Sequence, residues 1–112
     1  MNIQIYALKR NFDVQKAERY FKERGIKYQY VDLGRKPLSA RELDAISAAV
    51  GVDALIDTQS KLYAGSLLRY TNGDAHKKEQ LLSDMRLLRA PIVRNGRQAT
   101  VGYQPETWAG WE

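Results

Sequence analysis

One turn, residues 9–13, carries the side chains best placed to do chemistry in this chain of 112 residues. The turn joins an apolar stretch, which predicts a β-strand, to an amphipathic stretch, which predicts an α-helix. The N-terminus of a helix offers free N–H groups and a positive dipole end, which favour a thiolate or a bound anion. Asn11 occupies this position, and its amide cannot act as a redox nucleophile.

The composition excludes several kinds of chemistry. The chain has no cysteine and a single histidine, His76. Disulfides, thiol catalysis and thiolate metal sites are therefore excluded, and we expect neither a protein-bound transition metal nor another cofactor. General acid–base catalysis has little support, because Asp13 is the one acid of the turn and a negative charge there is explained by the helix dipole. We do not expect an enzyme.

The charge distribution leaves two interpretations open. The net charge is +5, and four arginines fall within twelve residues that contain no acid: Arg86, Arg89, Arg94 and Arg97. If the fold brings them to Lys9 and Arg10, they form one positive patch for an anionic partner. Otherwise they are solvated surface charges. Nucleic-acid binding is not expected, because no recognised motif is present and acids flank the arginines.

The chain also lacks the usual signs of a membrane or secreted protein. No run of about 18 apolar residues is present, as a membrane-spanning helix would need. The residues after Met1 do not resemble a secretory signal. We expect a single cytoplasmic domain, residues 1–112, with no membrane partner.

The first half of the chain predicts a strand, a helix, a second strand and a second helix. The first helix ends at Gly25, and residues 27–33 alternate as a β-strand does. A crossover of this length makes the two strands parallel. Ser39 and Glu42 form a capping box that begins the second helix, which ends at Gly51.

The second half predicts short helices followed by a hairpin. Residues 77–88 are expected to form a helix preceded by His76, after short helical segments between residues 52 and 69. Asn95-Gly96 predicts a hairpin turn between strands at 91–94 and 98–103. A short last helix places Trp108 and Trp111 on one face, where they are expected to cover the sheet.

The order of these elements and three stretches of sequence resemble the arsenate reductase/Spx family, also called the ArsC family. The stretches are Ile5-Tyr6 followed by Lys16-Ala17, then Leu38-Ser39 with Glu42-Leu43, and Arg89-Ala90-Pro91-Ile92-Val93 with Val101-Gly102-Tyr103. The resemblance covers nearly the whole chain. It implies an α/β, thioredoxin-like domain with a four-stranded mixed sheet flanked by helices and a helical insert at about 37–88.

The resemblance also suggests which residues surround the family's reaction site. Pro91 matches the family proline before the third strand and is expected to be cis. In the family this loop lies beside the helix start that carries the nucleophile. By analogy, Arg89 and Pro91 face Lys9, Arg10 and Asn11.

The departures from the family pattern argue against reductase activity. Asn11 stands where reductases carry the catalytic cysteine, and Ala90 stands where an arginine is usual. The stretch Thr58-Gln59-Ser60 and Ala64 replace further polar or basic positions. Arsenate reduction needs a thiolate that attacks the oxyanion and then forms a mixed disulfide, and Asn11 can do neither.

Two functions then remain. The first is a binding or regulatory module with an unknown protein partner. Spx-like members contact the α subunit of RNA polymerase, so the resemblance suggests transcription machinery, without the usual Cys-x-x-Cys switch. The second is a site for a carboxylate, phosphate or glutathione-like anion, with Lys9, Arg10, Asn11, Arg89 and Pro91 as candidate ligand-binding residues. Asn11 is better explained as a helix cap, because asparagine is among the preferred residues at that position.

Overall fold

The computed structural model describes residues 1–111 and contains one mixed four-stranded sheet in the order β2-β1-β3-β4. The strands are β1 (Ile3–Ala7), β2 (Tyr28–Asp32), β3 (Ile92–Asn95) and β4 (Gln98–Val101). β2 is parallel to β1, β3 is antiparallel to β1, and β4 is antiparallel to β3. The predicted mixed sheet and its parallel opening pair are confirmed.

In the part of the chain that the structure describes, five α-helices accompany the sheet: α1 (Phe12–Glu23), α2 (Ala40–Val50), α3 (Lys61–Ala64), α4 (Asp74–Ser83) and α5 (Pro105–Ala109). Short 3₁₀ turns at Asp53–Leu55, Leu67–Tyr70 and Met85–Leu87 connect the middle helices. The helical segments between β2 and β3 thus occupy the region, about residues 37–88, in which the family resemblance implies a helical insert. Within residues 1–111, no helix is both long and apolar enough to cross a membrane.

The sheet separates two apolar clusters, because successive strand side chains point to opposite faces. Ile3, Ile5 and Val93 pack with buried residues of α1 and with Trp108 of α5. Tyr6 and Ile92 belong instead to the larger cluster beneath α2, α4 and the connecting turns. The alternation along β1 therefore assigns α1 and α5 to one face and the helices between β2 and β3 to the other.

Several local predictions about helix ends are confirmed. Asn11 caps α1, and the residue after its C-cap, Gly25, has φ +65°. Ser39 and Glu42 form the reciprocal capping box of α2, which ends at Gly51. These sites share short-range chemistry: a side-chain oxygen satisfies a free N–H, or a glycine takes a positive φ angle.

The predicted helix over residues 77–88 has wrong bounds. α4 begins at Asp74, so that His76 lies inside its first turn, and it ends at Ser83. Asp84 stops the helix because its backbone is extended (φ −150°, ψ 100°) and its carboxylate accepts a hydrogen bond from the amide of Arg86. A new 3₁₀ turn begins there and carries the remaining apolar residues.

The hairpin is also shifted by one residue from its prediction. Asn95 pairs with Gln98 as the last residue of β3, so the two turn residues are Gly96 and Arg97. Gly96 has φ +62°, and no residue other than glycine has a positive φ among those described. A turn with positive φ at its first central residue calls for glycine there, which moves the turn past Asn95.

The capping box of α2 makes stability depend on pH. Burial raises the pKa of Glu42, but the hydrogen bonds with Ser39 outweigh this and hold the pKa below the ordinary value of 4.5. A lowered pKa in the folded state stabilises the fold above the unfolded value, and this contribution is lost as the pH falls through the folded value. We expect Glu42→Gln to remove that part of the acid sensitivity.

Urea unfolding of both proteins at pH 7 and pH 3 measures this effect. The Glu42→Gln protein is expected to be less stable than the wild type at pH 7 and to approach it at pH 3. Glu23→Gln, at an exposed position of α1, serves as the matched control and should follow the wild type. An unchanged difference between wild type and Glu42→Gln at the two pH values would refute the assignment.

Candidate functional site

The side chain of Asn11 joins the start of α1 to the loop before β3. Its Oδ1 accepts a hydrogen bond from the amide of Val14 at 2.8 Å, and its Nδ2 donates one to the carbonyl of Ala90 at 3.2 Å. Both ends of the amide are therefore engaged in structural bonds. The interpretation of Asn11 as a helix cap is confirmed, and the contact with Ala90 is an additional role.

The loop at residues 89–91 is held in place by backbone bonds on two sides. The Ala90–Pro91 peptide bond is cis, as the resemblance implies. The amide of Arg89 donates to the carbonyl of Leu55 at 2.8 Å, and the carbonyl of Pro91 accepts from the amide of Gly102 at 2.8 Å. These bonds bring the loop to the helix start, where Asn11 contacts it.

A cavity of about 360 Å³ opens beside this contact. Its walls are mostly apolar. They are formed by residues at the end of β1, by the residue after β2 and by the turns before β3. Its lining consists of Leu8, Leu33, Leu62, Met85 and Leu88, with Lys9, Asn11, Asp57, Arg86, Arg89 and Ala90 as the polar or small remainder. This volume is in the range of small-molecule sites.

The candidate residues do not all reach this cavity. Lys9, Asn11 and Arg89 line it, whereas Pro91 is buried next to Ala90 and is absent from the lining. Arg10 points elsewhere: its guanidinium lies 3.8 Å from the ring centre of Tyr30 and its Nε is 3.2 Å from a carboxylate oxygen of Glu18. The hydrogen bond with Glu18 raises the pKa of Arg10.

The single positive patch, one of the two interpretations that the charge distribution left open, is only partly formed. Arg86 and Arg89 share the cavity with Lys9, but Arg94 donates to the hydroxyl of Tyr6 at 3.5 Å and Arg97 lies in the hairpin turn. β3 runs antiparallel to β1, so the hairpin lies at the start of β1 and the candidate turn lies at its end. The patch interpretation does not hold for Arg94 and Arg97, because spacing along the chain does not show which end of the sheet a residue reaches.

The charges around the cavity differ in how they are compensated. Arg86 pairs with Asp84 at 2.8 Å, and this contact holds the pKa of Asp84 below its usual value. Asp57 is the one acid among the described lining residues, and its carboxylate accepts a hydrogen bond from the amide of Gln59 at 3.2 Å. Among residues 1–111, the side chains of Lys9 and Arg89 take part in no hydrogen bond or ion pair. The guanidinium of Arg89 lies on the β4 side of the loop, where its Nη2 would be 3.4 Å from a Cβ added at Gly102, and Arg89 also lines a second cavity with Val50 and Val101.

Sequence reasoning did not find the apolar walls of this cavity. Leu33, Leu62 and Met85 come from three separate segments, which only the tertiary structure brings together. In the sequence these residues stand out only as members of short apolar clusters. Core residues form such clusters too, so the clusters do not indicate a cavity. In the part of the chain that the structure describes, no three acidic or histidine side chains gather as metal ligands do.

The parallel pair, the two antiparallel strands and the cis proline facing a helix start define a thioredoxin-like domain of the arsenate reductase type. The ArsC family model matches residues 6–111, and the chain belongs to the ArsC family. Both the predicted family and the predicted fold class are confirmed.

Two curated relatives illustrate the range of this family. The Global transcriptional regulator Spx 2 of Oceanobacillus iheyensis is 30% identical over 109 residues, covering 95% of this chain and 80% of the relative. The Uncharacterized protein YusI of Bacillus subtilis is 25% identical over 118 residues, covering 97% of this chain and 100% of the relative. The chain is thus similar to a protein named as a regulator.

Solved structures agree with the fold. An arsenate reductase from Vibrio cholerae superimposes with a TM-score of 0.85 at 22% identity, covering 98% of this chain and 97% of the other. A Staphylococcus aureus protein reaches a TM-score of 0.83 at 26% identity, covering 97% and 98%. The likeness to the reductase concerns the fold, since this chain has no cysteine.

Proposed function

We propose that this ArsC-family protein is a non-catalytic binding module that regulates a protein partner and has no arsenate reductase activity. The observation that carries the proposal is Asn11, which stands in the nucleophile position and is bonded at both ends of its amide. Reduction of arsenate through a thiolate and a mixed disulfide needs a sulfur atom, and the chain contains no cysteine.

The name of one relative supports a partner in the transcription machinery. The 30% identical protein is a transcriptional regulator by name, and the family resemblance implies contact with the α subunit of RNA polymerase. Exposed aromatic and leucine side chains are consistent with a protein interface: Phe12 is 80% exposed, Leu67 is 77% exposed and Tyr70 is 74% exposed. Aromatic anchors of this kind often dominate binding energy at interfaces.

The test is direct binding of the purified protein to the purified RNA polymerase α subunit of the same organism. We expect saturable binding that weakens at least tenfold in Tyr70→Ala or Phe12→Ala, as a lost hot-spot residue would produce. Lys27→Ala, exposed before β2, is the control and should bind as the wild type does. Absence of binding overturns the proposed partner, and arsenate turnover above background overturns the proposed lack of catalysis.

The cavity favours a second candidate function, which is binding of a small anion at the loop where reductases do their chemistry. Lys9 lines it without a partner among the described residues, so an anion would find a positive charge there that no ion pair neutralises. NMR titration with phosphate, arsenate and glutathione tests this function. Saturating shifts confined to the amides of residues 9–13 and 89–92 support it, and unshifted amides with all three ligands contradict it for those anions.

A further inference from the structure

β4 forms one edge of the sheet, and part of its backbone points away from the neighbouring strand. The amide of Gly102 donates to the carbonyl of Pro91, so these two residues occupy a hydrogen-bonded position of the β3–β4 ladder. Such positions alternate with non-bonded ones in an antiparallel ladder, and the next pair is Val101 with Ile92. The N–H and C=O groups of Ala99 and Val101 therefore face the open side of the sheet.

The second cavity, of about 270 Å³, lies beside this edge. Three consecutive residues, 99–101, line it although their side chains alternate between the two faces of the sheet. The edge of β4 itself is therefore one wall of the cavity. Val50 at the end of α2 and Ala54 in the following 3₁₀ turn add an apolar wall. An extended segment in this cavity would become a fifth strand of the sheet.

The available backbone groups end at Val101, beside an arginine. The side chain of Gln104 donates to the carbonyl of Val101 at 3.2 Å, so an added strand cannot use this carbonyl without displacing that bond. Arg89 lines the same cavity near Gly102, and its side chain has no hydrogen-bond or ion-pair partner among residues 1–111. The described lining residues include no acid. A negative charge at the end of the added strand would therefore complement this site.

From this arrangement we infer that the edge of β4 binds the C-terminal segment of a partner protein as a parallel strand, with the terminal carboxylate at Arg89. In parallel pairing, the last residue of the peptide lies opposite Thr100. Its N–H donates to the carbonyl of Ala99, and one carboxylate oxygen accepts the amide of Val101. The other oxygen accepts a charge-assisted hydrogen bond from Arg89, which is stronger than a bond between neutral groups.

This register also specifies the penultimate residue of the peptide. Paired residues of neighbouring strands direct their side chains to the same face, and the penultimate residue pairs with Ala99. Ala99 packs against the cluster beneath α2, whereas the hydroxyl of Thr100 accepts the indole N–H of Trp108 on the other face. The penultimate side chain therefore enters the cavity beside Val50 and Ala54, where an apolar group such as that of leucine fits.

The inference rests on the proposed function as a protein-binding module and adds a docking surface with its ligand class. NMR titration with the acetylated tetrapeptide threonine-valine-leucine-alanine, which has a free carboxylate, tests it. At saturation, hydrogen exchange should slow at the amides of Ala99 and Val101, which gain acceptors. The amide of Thr100 already points to β3 and should exchange slowly with and without the peptide.

Three altered peptides test the individual contacts without changing the protein. The same peptide with a C-terminal amide should bind at least about tenfold more weakly, because it loses the charged partner of the arginine. Methylation of the last peptide nitrogen removes the donor to the carbonyl of Ala99 and should abolish binding. Aspartate in place of the leucine should also weaken binding at least about tenfold, because its charge would enter an apolar space.

A pair of protein variants assigns the carboxylate to its partner. Arg89→Gln should bind the free acid and the amidated peptide with equal affinity. Arg35→Gln, exposed after β2 at the opposite edge of the sheet, should keep the preference of the wild type for the free acid.

The possible results separate this inference from the function on which it rests. Slowed exchange at both amides, with a preference for the free acid that Arg89→Gln removes, supports the inference. Equal affinity of the wild type for acid and amide, or protection at β2 instead of β4, overturns it. If the RNA polymerase α subunit binds and the peptide does not, the inference is overturned and the proposed function stands. If the peptide binds and the α subunit does not, the inference stands and that partner is overturned.

Discussion

Replacing Trp108 with alanine is expected to lower the free energy of unfolding by about 3–5 kcal/mol, the range for large aromatic side chains in cores. Trp108 is 1% exposed and anchors α5 to the sheet. Its ring packs against those of Tyr20 and Phe21, with centroids 5.2 and 5.1 Å away. Its indole N–H donates to the hydroxyl of Thr100 at 2.8 Å, and this acceptor would be left buried without its partner.

Urea unfolding followed by far-ultraviolet circular dichroism measures the loss. Trp111→Ala is the matched control, because Trp111 packs on the same cluster but is only partly buried. It should cost less than half as much. A Trp108→Ala protein within about 1 kcal/mol of the wild type would show that α5 does not belong to the cooperative core.

A cysteine introduced at the start of α1 is expected to become reactive. The Asn11→Cys thiol would lie at a helix N-terminus beside a cavity that Lys9 lines. Such surroundings stabilise a thiolate and lower a thiol pKa from about 8.5 to about 7.5 or below. Since a shift of one unit changes the ratio of thiolate to thiol tenfold, the effect at pH 7 is large.

The rate of alkylation by iodoacetamide as a function of pH reports this pKa. Ala48→Cys, at an exposed position of α2 far from its N-terminus, provides the comparison thiol, and its pKa should be ordinary. If both thiols titrate at the same pH, the turn does not have the electrostatic character that we attribute to it.

The sequence was most informative where short-range chemistry decides structure. The cap at Asn11, the capping box of Ser39 and Glu42, and the end of α1 near Gly25 each depend on residues within one turn. The helix after residue 73 was harder to predict. Its apolar spacing continues through Leu87 and Leu88, but Asp84 and its bond to Arg86 end the regular helix earlier.

The candidate site was predictable only in part, because its residues meet across long separations in the chain. The family resemblance identified the turn and the proline loop, but it did not show that Arg10 lies against Tyr30 and Glu18. The contact with Tyr30 arises because β2 runs beside β1, and the contact with Glu18 arises because the turn folds back on α1. The apolar walls of the cavity likewise depend on how the middle helices pack, which residue spacing does not encode.

The bond from Asn11 to the carbonyl of Ala90 bears on how easily this protein could acquire reductase chemistry. A thiolate in place of the amide could still accept the N–H of Val14, but it has no hydrogen to offer Ala90. A single exchange to cysteine would therefore supply a nucleophile while releasing the tie between the two loops that must hold a substrate. Reductase chemistry at this position would therefore require a second substitution that restores the tie to Ala90.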